Sequence, residues 1–316
     1  MEVALKIDVD THQGLKEGVP RLARMLEAEG VAASFFIAMG PDNSGKAITR
    51  AFRNRGFVGK MFRTNAVGMY GLRTILSGTV LPARPIALAF PSIVRDLKHR
   101  GFEVGVHGYD HVRWQDGIDR LGEDGIRAEL ENAFEVYRAI FGEPARGFAA
   151  PGWRENATSL RLLDGMGLSY RSDTRGREPF RCLLEGRVLA APEIPTTLPT
   201  LDEVMGRTGL KDAASVHRYY LEQFKDDSLN VHTVHAEVEG MGQLDNFAEM
   251  VRALKSRGAS FVRLDAVAAR LESAELPICE VIRAEIPGRA GWIAAQGPAI
   301  PAPVSSGVAP TVRLSN

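Results

Sequence analysis

Apolar and polar positions follow two rhythms along this chain, and the two rhythms take turns. The runs "VALKID" (3–8), "VAASFFIAM" (31–39), "FEVGVHG" (102–108), "RGFAAP" (146–151), "LSYRSD" (168–173), "LNVHTVHAE" (229–237) and "SFVRL" (260–264) are short and mostly apolar, as buried strands are. Between them "GVPRLARMLEAEG" (18–30), "RAELENAFEVYRAIFG" (127–142) and "NFAEMVRALKSRG" (246–258) repeat apolar residues at the period of an amphipathic helix. Strand, helix, strand in succession predicts βαβ units and a mostly parallel α/β sheet, at this length a distorted (β/α) barrel. Active sites of such folds gather where strands end and loops begin.

Two stretches break the alternation. Residues 40–90 mix Lys46, Arg50, Arg53, Arg55, Lys60, Arg63, Arg73 and Arg84 with Phe52, Phe57, Met61, Phe62, Tyr70 and Leu72, and no Asp or Glu occurs from Asn43 to Arg95. This reads as a basic, amphipathic insertion ahead of a helix that starts near Pro91. From about Gln296 the chain turns to Pro, Ala and Ser, so residues 296–316 are expected to be disordered. The barrel is expected over 1–275, with a C-terminal extension over 276–295.

Composition narrows the class. A chain of 316 residues, 45% hydrophobic and 25% charged, has the make-up of an ordinary soluble protein with one main domain. Its 39 Lys and Arg balance 39 Asp and Glu, so no overall charge draws it to nucleic acid. No apolar run approaches the ~20 residues of a membrane span. "MEVALKID" lacks the basic-then-apolar order of a secretory signal, so a cytoplasmic protein is expected, with peripheral membrane contact left open. Cys182 and Cys279 fit neither a metal spacing nor a disulfide framework and read as packed thiols.

Candidate chemistry lies at the predicted strand ends. In "KIDVDTHQG", Asp8 and Asp10 are two apart and share a face. Adjacent carboxylates repel unless a cation compensates, taking one as ligand and leaving the other as a base; for Asp10 alone, capping the following helix fits as well. "VGVHGYDHVRW" (104–114) adds His107 and His111, a spacing that also arises by chance on surface turns. With Asp10 they make a two-histidine, one-carboxylate set that leaves coordination positions open. In "LNVHTVHAEVEG", His232 and His235 face opposite sides of a strand. His235, next to the turn, is the one aimed at the site, either as an acid for a departing amine or as a core histidine bonded to backbone.

In this order the motifs resemble those of the polysaccharide deacetylase family, the NodB-homology fold, over about residues 1–270. The resemblance implies Asp8 as base, Asp10, His107 and His111 as ligands of a divalent metal (zinc, manganese or cobalt) and His235 as general acid. The family places an Arg in its third motif where "FAAPGW" has Ala149, so another cation, Arg154 or Arg171 with Asp173 nearby, is expected to orient the base. Gly152 and Trp153 offer backbone N–H groups to an oxyanion, and Arg154, Asp173 and Glu237 are the remaining substrate-side candidates. "FFIAMGPDNSG", "FRTNAVGMYG", "IPTTLPTLDEV", "TVHAEVEG" and "GRAGW" are similar to the branch of the family that deformylates 4-deoxy-4-formamido-L-arabinose carried on undecaprenyl phosphate. That resemblance implies release of formate at the cytoplasmic face of the inner membrane, for a sugar destined for lipid A and for resistance to polymyxin and other cationic peptides. Arg50, Arg53, Arg55 and Lys60 would suit the lipid phosphate or an anionic membrane surface; a packed surface helix pair is the plainer reading of the same segment. Another carbohydrate N-deacetylase, a small-amide amidase or a non-catalytic lipid-carrier binding module would share parts of this pattern.

Overall fold

A computed structural model describes residues 1–46, 82–205, 210, 212–289 and 291–300. Its strands are β1 (Glu2–Val9), β2 (Ser34–Ile37), β3 (Glu103–Val106), β4 (Gly147–Phe148), β5 (Tyr170–Arg171), β6 (Arg181–Leu184), β7 (Arg187–Val188), β8 (Leu229–His235), β9 (Ser260–Val262), β10 (Ile278–Glu285) and β11 (Trp292–Ile300). Seven of them form a parallel sheet ordered β5-β4-β3-β2-β1-β8, with β9 beside the first half of β1. Among the described residues the sheet does not close by strand pairing. Instead the chain around residues 192–198 spans the gap: Arg171 N–H donates to Pro192, Ile194 N–H to Arg171 and Thr197 N–H to Val231. The result is the distorted α/β barrel that the alternating pattern predicts.

The period-2 alternation of β1 decides what lies inside. Val3, Leu5, Ile7 and Val9 belong to the large outer core, which also includes Leu22 and Leu26 of the helix Val19–Glu29 and Leu130 and Tyr137 of the helix Glu123–Phe141. Ala4 turns the other way, into a smaller cluster with Phe36, Ala149, Tyr170 and Val231. Lys6 and Asp8 share that inward face. The helices stop where their sequences say they should: Gly30 (φ 65°) and Gly142 (φ 74°) take the left-handed conformation that ends each one.

A second sheet, ordered β11-β10-β6-β7, joins the antiparallel β10–β11 hairpin to β6. This corrects the expectation of disorder from residue 296, because β11 continues to Ile300. Gln296 explains why: its buried amide oxygen accepts from Arg177 N–H (2.8 Å), and its Nε2 donates to Cys279 Sγ (3.7 Å). Cys182 and Cys279 are both buried and free. Residues 301–316 and the insertion core 47–81, with Arg50, Arg53, Arg55 and Lys60, lie outside the described residues. Among the described residues, no helix is long and apolar enough to cross a membrane.

Candidate active site

The C-terminal ends of β1, β3 and β8 meet at one mouth of the barrel. Parallel register sets Asp8 of β1 beside His235 of β8, and Ala236 N–H donates to the Asp8 carbonyl (2.9 Å). Asp10 follows the end of β1. His107 follows the end of β3, its N–H donating to Ile37 (2.9 Å), and His111 opens the helix His111–Gly117. Asp110 caps that helix by accepting from Arg113 N–H (3.0 Å).

These loops converge on a metal-type donor set. His107 Nε2 is 3.3 Å from Asp10 Oδ1, His111 Nε2 is 3.4 Å from Asp10 Oδ2, and the three ligand atoms lie within 4.8 Å of one another. His107 Nδ1 is 2.8 Å from the Ala149 carbonyl, which fixes it as the donor and leaves Nε2 for the site. Oδ1 of Asp8 and Oδ1 of Asp10 are buried without a hydrogen-bond partner, which a cation between the loops would satisfy. Burial would raise Asp10, yet the charges of His111, His107 and His235 hold it well below the ordinary carboxylate range. Burial, with His107 and His235 nearby, pushes His111 down to about 4. An ionised Asp10 and a neutral His111 are the states that bind metal.

Asp8 stands outside this donor set, 3.8 Å from His107 Nε2, and its cation is a residue not foreseen from the motifs. Lys6 Nζ lies 3.9 Å from Asp8 Oδ2, with both side chains essentially shut off from solvent. It donates to the Ser172 carbonyl (2.8 Å) and lies over the rings of Phe36 (5.6 Å) and Trp153 (5.5 Å). Neither Arg154 nor Arg171 takes this position, correcting the expectation that one of them orients the base. Arg154 stacks on Trp292, and Arg171 faces Asp173 (4.0 Å) inside the barrel wall. The signal was present in "KID": a lysine in an otherwise apolar strand, two residues before Asp8 and so on its face.

The surroundings of His235 favour its protonated form. Burial would lower its pKa, but the carboxylates of Asp10, Asp202, Asp8 and Glu239 push it up to about 9. His232 points the opposite way, between Tyr220 (4.9 Å) and Phe224 (5.8 Å), and burial drives it down to about 3.

Three substrate-side expectations change role. Glu237 Oε1 accepts from Asp10 N–H (2.8 Å), Thr11 N–H (2.7 Å) and Thr11 Oγ1 (2.8 Å), so it braces the loop that presents Asp10. Asp173 is fully buried, and its Oδ1 accepts from Ala150 N–H (2.8 Å), bracing the loop before Gly152. Trp153 N–H is already given to Ala150 (3.1 Å), leaving Gly152 as the backbone oxyanion candidate. Gly152 and Trp153 both have left-handed φ, 62° and 52°. For a tryptophan this is strained, and such strain concentrates at functional sites.

Fold and donor set together fit a hydrolase whose ligands suit a divalent metal. The chain belongs to the polysaccharide deacetylase family, whose sequence profile matches residues 2–171. It is 34% identical to the probable 4-deoxy-4-formamido-L-arabinose-phosphoundecaprenol deformylase ArnD of Shewanella sediminis (strain HAW-EB3), over 93% of this chain and 94% of that protein. It is 33% identical to the protein of the same name from Wigglesworthia glossinidia brevipalpis, over 90% and 98%. Among solved structures it is similar in fold to a Mycobacterium smegmatis protein assigned as a polysaccharide deacetylase. The TM-score there is 0.62, with 19% identity over 90% of this chain and 95% of that one.

Proposed function

We propose that this chain hydrolyses the formamide of 4-deoxy-4-formamido-L-arabinose carried on undecaprenyl phosphate, giving the 4-amino sugar and formate for lipid A modification. The chemistry rests on the in-register pair of Asp8 and His235 beside the Asp10, His107 and His111 donors. The choice of substrate rests on the name shared by two relatives matched over at least 90% of the chain.

Asp10, His107 and His111 would hold zinc, manganese or cobalt, which would polarise the formyl carbonyl and acidify a water. Asp8, compensated by Lys6, accepts the proton of the attacking water. Gly152 N–H stabilises the oxyanion, a contribution worth ~3 kcal/mol per donor in such sites. His235 gives its proton to the sugar nitrogen as the C–N bond breaks, so the amine leaves neutral and formate remains.

The basic insertion with Arg50, Arg53, Arg55 and Lys60 would hold the enzyme at the cytoplasmic face of the inner membrane, at ~1 kcal/mol per basic residue near an anionic surface. Vesicle binding that weakens with salt in the parent, and is lost when these four become Ser, tests that contact. The function itself is tested by incubating metal-loaded protein with the lipid-linked sugar and following it by mass spectrometry. Loss of the mass of CO from the lipid, with free formate, is expected. Unchanged lipid at full metal content would overturn the reading.

A further inference from the structure

We propose that Arg154 and Arg289, set against Trp292 and Trp153 with Arg283 beside them, form a subsite for the phosphodiester of a lipid-linked sugar. The inference rests on the function proposed above and adds the group that recognises the anionic half of the substrate. Two of these arginines and Trp292 come from the β10–β11 hairpin, beyond the residues 2–171 that define the family.

Arg154 Cζ lies 4.3 Å from the centre of the Trp292 ring, and Arg283 Cζ lies 4.0 Å from it. Arg289 Cζ is 4.6 Å from the centre of the Trp153 ring, and Arg175 Cζ is 5.0 Å from it. Among the described residues two carboxylates pair with three of these four guanidinium groups: Asp119 with Arg283, and Glu203 with Arg175 (2.8 Å) and, at 3.5 Å, with Arg289. Among the described residues no carboxylate comes within ion-pair distance of Arg154, and its Nε is buried without a hydrogen-bond partner. Burial and the charges of Arg289 and Arg283 push Arg154 below its ordinary pKa in spite of Asp119, which acts the other way.

The backbone is shaped to allow this crowding. A Cβ at Gly291 (φ 74°) would sit 2.7 Å from Arg154 Nη2, and one at Gly152 would sit 3.2 Å from Arg289 Nη2. Trp114 Nε1 donates to the Arg154 carbonyl (2.8 Å) and anchors the turn. The cluster also adjoins the reaction centre, because the Trp153 ring that Arg289 covers also carries Lys6, the partner of Asp8. Arg289 and Lys6, the partner of the proposed base, therefore share one indole, and Arg154 lies next to that indole in the chain. The substrate's formamide and phosphodiester are separated by one sugar ring. Guanidinium forks suit phosphate oxygens in geometry as well as charge.

The alternative is that the stack only fastens the hairpin to the barrel. Full-length, metal-loaded parent, Arg154→Gln, Arg289→Gln and Arg154→Lys are compared on two water-soluble substrates. One is a short-chain prenyl phosphodiester of the formamido sugar, and the other is its uncharged alkyl glycoside. The ratio of kcat/KM between them is expected to fall about tenfold or more in the Gln variants, mainly through KM, with partial recovery in Arg154→Lys. Inorganic phosphate should compete with the phosphodiester in the parent and lose that effect in the Gln variants. An unchanged ratio, or equal phosphate inhibition in all proteins, overturns the subsite. Loss of binding to phosphatidylglycerol vesicles with an unchanged ratio overturns it in favour of a membrane patch. If the parent hydrolyses neither substrate, the deformylase reading fails, and the subsite is then judged by ³¹P line broadening of methyl phosphate. Broadening by the parent but not by Arg154→Gln supports it, and equal broadening overturns it.

Discussion

Lys6 Nζ sits 3.9 Å from Asp8 Oδ2, and neither side chain has appreciable contact with solvent. Where the family's third motif would supply an arginine this chain has the buried Ala149, and Lys6 is a cation that the structure places beside Asp8. Lys6→Met should keep the metal but lower kcat, and should reduce stability by about 3 kcal/mol, because Asp8 would be a buried charge with one partner fewer. Lys6→Arg keeps the charge but must fit between Phe36 and Trp153, so only partial recovery is expected. Elemental analysis, single-turnover rates and urea melts read these effects, and wild-type turnover in Lys6→Met would remove Lys6 from the mechanism.

Ligands and proton carriers should separate cleanly. His107→Ala and His111→Ala are expected to lose metal and activity together, whereas Asp8→Asn keeps the metal and loses turnover by about 10²–10⁴-fold. Metal-to-protein ratios after dialysis decide this, and full occupancy in either histidine variant would contradict the ligand set.

His235→Ala should also retain metal while slowing hydrolysis by about 10²–10⁴-fold. In the proposed reaction it protonates a basic sugar nitrogen. The loss should therefore shrink on a formanilide-type analogue, whose less basic nitrogen needs less help to leave. An equal loss on both substrates would argue against proton donation.

Stability of the metal-free protein should fall as pH rises from about 7 to 9. His235, raised to about 9, stabilises the fold fully below its unfolded pKa of about 6.5, and that contribution is lost as pH climbs through the folded value. Glu237 and Glu155, both at about 8 through burial, act in the same direction because the folded state holds protons that the unfolded state has released. On the acid side, His111 at about 4 and His232 at about 3 carry the opposite sign, and between about 4.5 and 6.5 they offset the buried glutamates, so the fall is net only above about pH 7. Thermal melts of chelated protein across pH 6–9 would show the fall, and a flat profile from 7 to 9 would refute the assignment.

Gly14→Ala tests the brace on Asp10. A Cβ there would sit 2.1 Å from Glu237 Oε1, the atom that holds Asp10 N–H and Thr11 N–H. Displacing a group that orients a ligand typically weakens metal affinity about 10–100-fold. Competition with a fluorescent chelator measures it, and unchanged affinity would show that the loop holds itself.

By itself, the sequence determined the layers of the sheet and the donor set. Strand and helix periods are local properties, and Asp8, Asp10, His107, His111 and His235 fall at strand ends that parallel βαβ order must bring to one mouth. The opposite facing of His232 and His235 follows from the same period of two. What the tertiary structure alone decided are the partners, since a partner depends on which strand lies across the barrel and not on neighbours in the chain. Thus Lys6 compensates Asp8 where an arginine was expected, Glu237 and Asp173 brace loops, and β11 runs through Gln296 because β10 offers it hydrogen bonds. The grouping of Arg154, Arg283 and Arg289 around two tryptophans joins residues more than a hundred positions apart, and only packing of the hairpin on the barrel could assemble it.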